Sequence, residues 1–382
     1  MGCVSSQSFA DRRIRYIDGL RAVAVLAVVS FHAANYRDKD LVQLLPRVVM
    51  QGHHGVELFF VLSGFCLSYP MLTKIYQHGR VSFDIAAYAA KRVTRIIPLF
   101  YLAIGVFAVI GAQKASAPDI IRQALFIDSG THLLNSSFWS LPVEFRWYFA
   151  FPLVLLLWVR SKRTFASLIA GLFVLQQTRA ASTDIVALPA FMLGIVAADL
   201  AVQNPKYAKY ALALFLAVSI GAFGHASLLD RGQEASALWE IAVFLLVVAG
   251  GATPWLTRAL SLGVMVFLGR ASYSIYLFHE LGIFYAQQRG YVPWVAGVAG
   301  VALGIAFWYC AERVLTSARV RSAMIPPLTQ VLRRCCRITG VPANIELAGS
   351  VGILTSAMSQ LANGTRLRPG PKENYGLAVE RP

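Results

Sequence analysis

Charge is what this sequence lacks most. Only 14% of its 382 residues are Asp, Glu, Lys or Arg, where an ordinary soluble domain carries about 25%. Together with a 57% hydrophobic content and a mean hydropathy of +0.58, this excludes a water-soluble globular chain. Cysteine is scarce as well. Cys3, Cys66, Cys310, Cys335 and Cys336 form no C-x-x-C pair and no spaced framework, which leaves no basis for a disulfide scaffold or a cysteine metal site. No metal is expected. Internal repeats are also missing, and with them the usual sign of an inverted-repeat transporter.

What the sequence has is apolar runs of roughly 17–25 residues, each long enough to cross a hydrocarbon core of about 30 Å. They lie near 17–36, 56–73, 96–112, 138–159, 164–178, 185–201, 208–225, 235–252, 262–286 and 291–312. The expected fold is an all-α, polytopic integral membrane bundle of about ten transmembrane helices. The formal charge of +16 then reads as topology. With the N-terminus in the cytoplasm, 24 of the 35 Lys and Arg fall in cytoplasmic segments, counting Lys209 at the cytoplasmic edge of its span, as the positive-inside rule requires. Both termini are expected to be cytoplasmic, in a bacterial inner membrane, with the lipid bilayer and no nucleic acid as partner.

Three regions follow: a cytoplasmic segment 1–16, a membrane domain 17–313, and a basic, partly disordered cytoplasmic tail 314–382. Arg12, Arg13 and Arg15 before the apolar run resemble a signal peptide, but no convincing A-x-A site follows the run, so an uncleaved first span is expected. Gly2 with Ser6 matches a myristoylation pattern beside Cys3, yet ten helices already anchor the chain. In the tail, Ile345, Leu347, Val351, Leu354, Met358 and Leu361 give a weakly helical apolar face, and 363–382 is rich in Gly and Pro.

A charge at mid-membrane costs at least about 2.5–3.5 kcal/mol, so such groups face a cavity or a partner. The first span carries Arg21 and, after ten nearly all apolar residues, His32. Eleven residues make close to three turns and about 16 Å, so both side chains share one face. That arrangement suits a substrate with an anionic handle at the cytoplasmic side and a reactive group nearer the outside. Glu144 in the fourth span and His279 in the ninth fall at an outer depth similar to that of His32, which would let the three meet in one cavity in the outer half of the membrane, while His53, His54 and Glu57 open the second span. Arg92 and Arg95 flank the cytoplasmic start of the third span, and arginine binds phosphate through a fork of donors that lysine lacks.

Several motifs resemble the membrane acyltransferase family 3. They are Arg21-x10-His32, Gly55-Val56-Glu57-Leu58-Phe59-Phe60-Val61-Leu62-Ser63-Gly64-Phe65, and Arg92-x-x-Arg95-x-x-Pro98. Further along come Trp139-Ser140-Leu141-x-Val143-Glu144, Leu188-Pro189-Ala190-Phe191-x-Leu193-Gly194, Ser272-Tyr273-Ser274-Ile275-Tyr276-Leu277-x-His279 and the terminal Glu312-Arg313. The resemblance implies a membrane-only enzyme that moves an acyl group, commonly acetyl from acetyl-CoA, onto a hydroxyl of an extracytoplasmic carbohydrate or glycolipid. It implies no bound cofactor, acyl-CoA serving as co-substrate. Carried over, His32 and Glu144 are catalytic, Arg21, Arg92 and Arg95 bind the acyl donor, and Trp139, Tyr276 and His279 line the acceptor pocket. His32 serves as general base or acyl carrier, roles that its unperturbed pKa near 6.5 suits. The chain departs from the family where Phe145 and Arg146 follow Glu144 and where no proline follows Arg313. The competing reading is a proton-coupled secondary transporter with His32 and Glu144 as its relay.

Overall fold

The computed structural model describes residues 7–35, 47–110, 116–127, 134–177, 182–229, 236–339 and 342–348. Helix α1 spans Gln7–Asn35. A short helix Arg47–Met50 and a 3-10 turn Gln51–His54 lead into α2, Gly55–His78. Strand β1 (Arg80–Asp84) precedes α3 (Ile85–Ile110) and the short α4 (Ala117–Ala124). After a 3-10 turn Ser136–Trp139 come α5 (Ser140–Arg160), α6 (Lys162–Gln176), α7 (Thr183–Gln203) and α8 (Ala211–Leu229). Next are α9 (Ser236–Ala252), α10 (Pro254–Leu260), α11 (Gly263–Arg270), α12 (Ser272–Gln288) and α13 (Pro293–Phe307). Helix α14 (Ala318–Thr339) and strand β2 (Asn344–Ala348) end the described chain.

The protein is an all-α polytopic membrane bundle, and helix covers each of the ten expected spans. Seven helices among the described residues are long and apolar enough to cross a membrane, or eight when the pair α9–α10, bent by 100°, counts as one. Two expected spans fall short for stated reasons. Helix α6 has 15 residues and reaches only about 22 Å. The ninth breaks at Ala271 into α11 and α12. Arg270, read from the sequence as lying within that span, sits at the break with its side chain 65% exposed and 3.6 Å from Asp18. The break lets an arginine leave the apolar interior and find its counter-ion.

Helix α1 is central, touching α2, α9, α10, α11, α12 and α13. Small residues permit that density, as expected where lipid gives helices no hydrophobic reason to associate. At the crossing of α2 and α7, a Cβ on Gly64 would lie 2.1 Å from the Phe191 carbonyl oxygen, and one on Gly194 2.1 Å from that of Val61. These two motif glycines therefore bring backbone against backbone. They also fix the half of α2 that carries Ser63 and Cys66.

The segment read as a tail is built onto the bundle. Helix α14 packs against α3, and β2 pairs antiparallel with β1, Arg80 opposite Ala348 and Asp84 opposite Asn344. Ile345 and Leu347, expected on a helical face, lie in this strand; the rest of that face and Gly2, Cys3 and 363–382 lie outside the described residues. Arg333 of α14 lies 2.5 Å from Asp84. Burial pushes the Asp84 carboxyl up, but the Ala87 N–H and the Arg333 guanidinium outweigh it and hold the group below its ordinary range. The clasp is thus expected to hold at neutral pH and to be lost as pH falls through the lowered value. Arg333→Ala is expected to speed protease cutting within 318–348 in detergent-solubilised protein; unchanged cutting would count against the clasp.

Candidate active site

Two adjoining cavities run along the face of α1 that carries Arg21 and His32, with Val56 and Tyr276 in the walls of both. The first, about 80 Å³, is lined by Arg21, Arg95, Ser63, Glu144, Tyr148 and Tyr273. The second, about 380 Å³, is lined by Phe31, His32, His53, Glu57 and Trp139.

In the smaller cavity Glu144 accepts hydrogen bonds from the hydroxyls of Ser63 and Tyr148. Arg21 Nη2 reaches Cys66 Sγ at 3.7 Å. Arg92 stands one layer back, its guanidinium over the rings of Tyr88 (5.6 Å) and Tyr148 (5.7 Å). Arg21, Arg95 and Glu144 therefore meet, and Tyr148 connects Arg92 to them.

The larger cavity has a different centre. His279, fully buried, donates from Nδ1 to the carbonyl oxygens of Tyr276 (2.9 Å) and Ile275 (3.1 Å). A ring nitrogen held by two carbonyls must carry the proton, so in the neutral ring Nε2 is the acceptor. His32 Nδ1 lies 2.9 Å from that Nε2 and donates to it. His32 Nε2 is left with a free lone pair, and 3.8 Å from it stands Glu280 Oε1. The Glu280 carboxylate is held by the hydroxyls of Ser136 (2.6 Å) and Ser137 (2.5 Å) and by the Ser137 N–H (2.9 Å). These donors belong to the turn just before α5, where first-turn N–H groups favour an anion. The ligand atoms of His32, His279 and Glu280 lie within 4.8 Å of one another, close enough to be shared by a metal ion. All three of those donors converge on Oε1, the oxygen nearest His32, which weakens that oxygen as a ligand.

Of the residues read from the sequence, His32, His279, Trp139 and Tyr276 come together here, Trp139 placed by the turn Ser136–Trp139. Tyr276 donates its hydroxyl proton to the Ser137 carbonyl at 2.8 Å, and its oxygen lies 2.7 Å from Ser140 Oγ. Glu144, expected beside His32, lies in the other cavity. The carboxylate that faces His32 is Glu280, which the sequence reading passed over. Its signal was an acid directly after His279 inside an apolar run.

The departures after Glu144 have local reasons. Phe145 stacks on Phe126 with ring centroids 4.2 Å apart. Arg146 binds Asp184 at 2.8 Å and the Phe126 carbonyl at 2.7 Å. Glu312, in a π-helical stretch after α13, accepts from Ser274 Oγ at 2.6 Å and so ties α13 to α12. Arg313 lies over Trp308 and Tyr309, and the helix runs on past it to Leu315, so no proline directly after Arg313 is needed to stop it.

A helical membrane bundle that gathers Arg21, Arg95, His32, His279 and the carboxylates of Glu144 and Glu280 around internal cavities is a polytopic membrane protein with a built internal site. Within that class the relationship is specific: the acyltransferase domain of family 3 matches residues 14–313, and the chain belongs to that family. It is similar to the peptidoglycan O-acetyltransferase OatA of Listeria monocytogenes, 25% identical over 190 residues that make up 44% of this chain and 28% of that protein. A putative O-acetyltransferase of Staphylococcus aureus is 23% identical over 355 residues, 78% of this chain and 56% of its own length. The acyltransferase MdmB of Streptomyces mycarofaciens is 24% identical over 376 residues, 84% of this chain and 93% of its own. The chain thus spans about a quarter and about half of the first two relatives. No solved structure matches it.

Proposed function

We propose that this chain is an O-acyltransferase that moves an acyl group, acetyl being the first candidate, from acyl-CoA to a hydroxyl of a carbohydrate or glycolipid across the membrane. The observation that carries the reading is the 2.9 Å contact between His32 Nδ1 and His279 Nε2, which leaves His32 Nε2 as a free base at the edge of a cavity. Family membership and the O-acetyltransferase relatives support acyl transfer to oxygen.

In this scheme the Arg21 end of α1 faces the cytoplasm, in keeping with the distribution of Lys and Arg. The CoA phosphates stay near Arg92 and Arg95, because a cavity of about 80 Å³ admits a thioester end and not a nucleotide. The thioester carbonyl lies between the two cavities, at Val56 and Tyr276. The acceptor hydroxyl enters from the His32 side. His32 Nε2 takes its proton as the oxygen attacks the carbonyl; the C–S bond breaks, and the imidazolium returns the proton to the leaving thiolate. Glu280 stabilises the imidazolium, and Glu144 balances the charge of Arg21 and Arg95.

Membrane vesicles given labelled acetyl-CoA test the scheme. Label appearing as base-labile ester on envelope glycan is the expected result. Solute uptake driven by a proton gradient, without acylation, would instead establish the transporter reading.

A further inference from the structure

The larger cavity has an unusual balance of hydrogen-bonding groups. His54 Nδ1 donates to Glu57 Oε1 at 3.0 Å, while Glu57 Oε2 is buried and has no hydrogen-bond partner among the described residues. A buried carboxylate oxygen without a donor costs about 1–3 kcal/mol or more, so a ligand that supplies one would be held firmly. His53 donates from Nδ1 to the Met50 carbonyl at 2.8 Å, which leaves its Nε2 as an acceptor. His32 Nε2 is an acceptor for the reason given above. The Tyr276 hydroxyl has already spent its proton on the Ser137 carbonyl.

Apart from the indole N–H of Trp139, the polar groups named in this wall therefore accept and do not donate. Their complement is a molecule with several hydroxyl donors. The same cavity presents the aromatic rings of Phe31, Trp139 and Tyr276, flat apolar surfaces suited to the C–H face of a saturated ring. Its volume of about 380 Å³ lies in the range of sites that hold a small ligand.

From this wall of acceptors, and resting on the acyl-transfer reading above, we infer that Glu57 and His53 bind hydroxyls of the acceptor sugar other than the one acylated. The ring lies against Trp139, Glu57 Oε2 accepts from one hydroxyl and His53 Nε2 from another. A third hydroxyl is then presented to His32 Nε2. The site thereby selects a pyranose-like ring with at least three free hydroxyls over a simple alcohol.

Envelopes from a strain lacking the native gene, supplied with equal amounts of wild-type or variant protein, provide the test. Label transferred from acetyl-CoA to glycan is measured while donor and added envelope glycan are titrated separately. Glu57→Gln keeps an oxygen for His54 but turns an amide N–H₂ towards the sugar. It is expected to raise the half-saturating glycan concentration about tenfold, the difference between a charged and a neutral hydrogen bond, and to leave that of the donor within twofold. Equal rises for donor and glycan would make Glu57 a structural residue and overturn the inference, as would no change in either. Absence of transfer by the wild-type protein would instead remove the acyl-transfer reading, and the inference with it.

Discussion

His32→Ala is expected to reduce acyl transfer to glycan about a thousandfold, while the amount of protein in the membrane stays unchanged. Loss of a positioned general base costs about a hundredfold to ten-thousandfold. The expectation lies in the middle of that span and not at its lower end because, among the groups named at the site, only His32 Nε2 combines a free lone pair with a facing carboxylate. Folding is expected to tolerate the change, since the His32 side chain is 19% exposed and borders a cavity. His32→Gln is a stricter version: its amide N–H₂ can still donate to His279 Nε2, so the pair keeps its contact but loses the base. Equal losses in both variants would locate the effect in proton transfer. Retention of more than a tenth of the wild-type rate in either would remove His32 from the chemistry.

The sequence disclosed depth along the membrane normal far better than neighbourhood within its plane. Eleven residues of helix put Arg21 and His32 on one face, and the structure opens both onto adjoining cavities. Similar depth also grouped Glu144 with His32 and His279, but depth carries no information about which helices touch. That is decided by packing in the plane: Gly282 on Ala299 holds α12 to α13, which meets α1 at Gly297 against Ala33, so that α12 and its Glu280 reach α1, while Glu144 meets Ser63 of α2. The break at Ala271 was hidden for a related reason. A hydropathy window averages over about 19 residues, so one residue out of helical register disappears into it. At the C-terminal end the alternation was present and misread: Ile345 and Leu347 turn inward, while Asn344 and Glu346 are exposed. Two residues of period 2 decide nothing until β1, more than 260 positions earlier, supplies the partner strand.

Glu280→Gln separates charge from architecture at the same site. The glutamine oxygen can accept the bonds that Glu280 Oε1 takes from Ser136 and Ser137; only the long 3.3 Å bond from the Ser136 N–H to Oε2 is lost, so the turn that places Trp139 is expected to hold. What disappears is a negative charge 3.8 Å from His32 Nε2. With an effective dielectric of about 20, Coulomb's law gives roughly 4 kcal/mol at that distance; the residual dipole of the amide lowers the loss to about 3 kcal/mol. The rate of transfer is therefore expected to fall about a hundredfold, with half-saturating concentrations of donor and glycan nearly unchanged, because the charge matters chiefly once His32 has taken the proton. Glu144→Gln, in the other cavity, provides the contrast. Its charge faces Arg21 and Arg95, so its loss is expected to appear in donor half-saturation. If Glu280→Gln instead shifted donor half-saturation and left the maximal rate intact, Glu280 would belong to the donor side and the imidazolium would need another counter-charge.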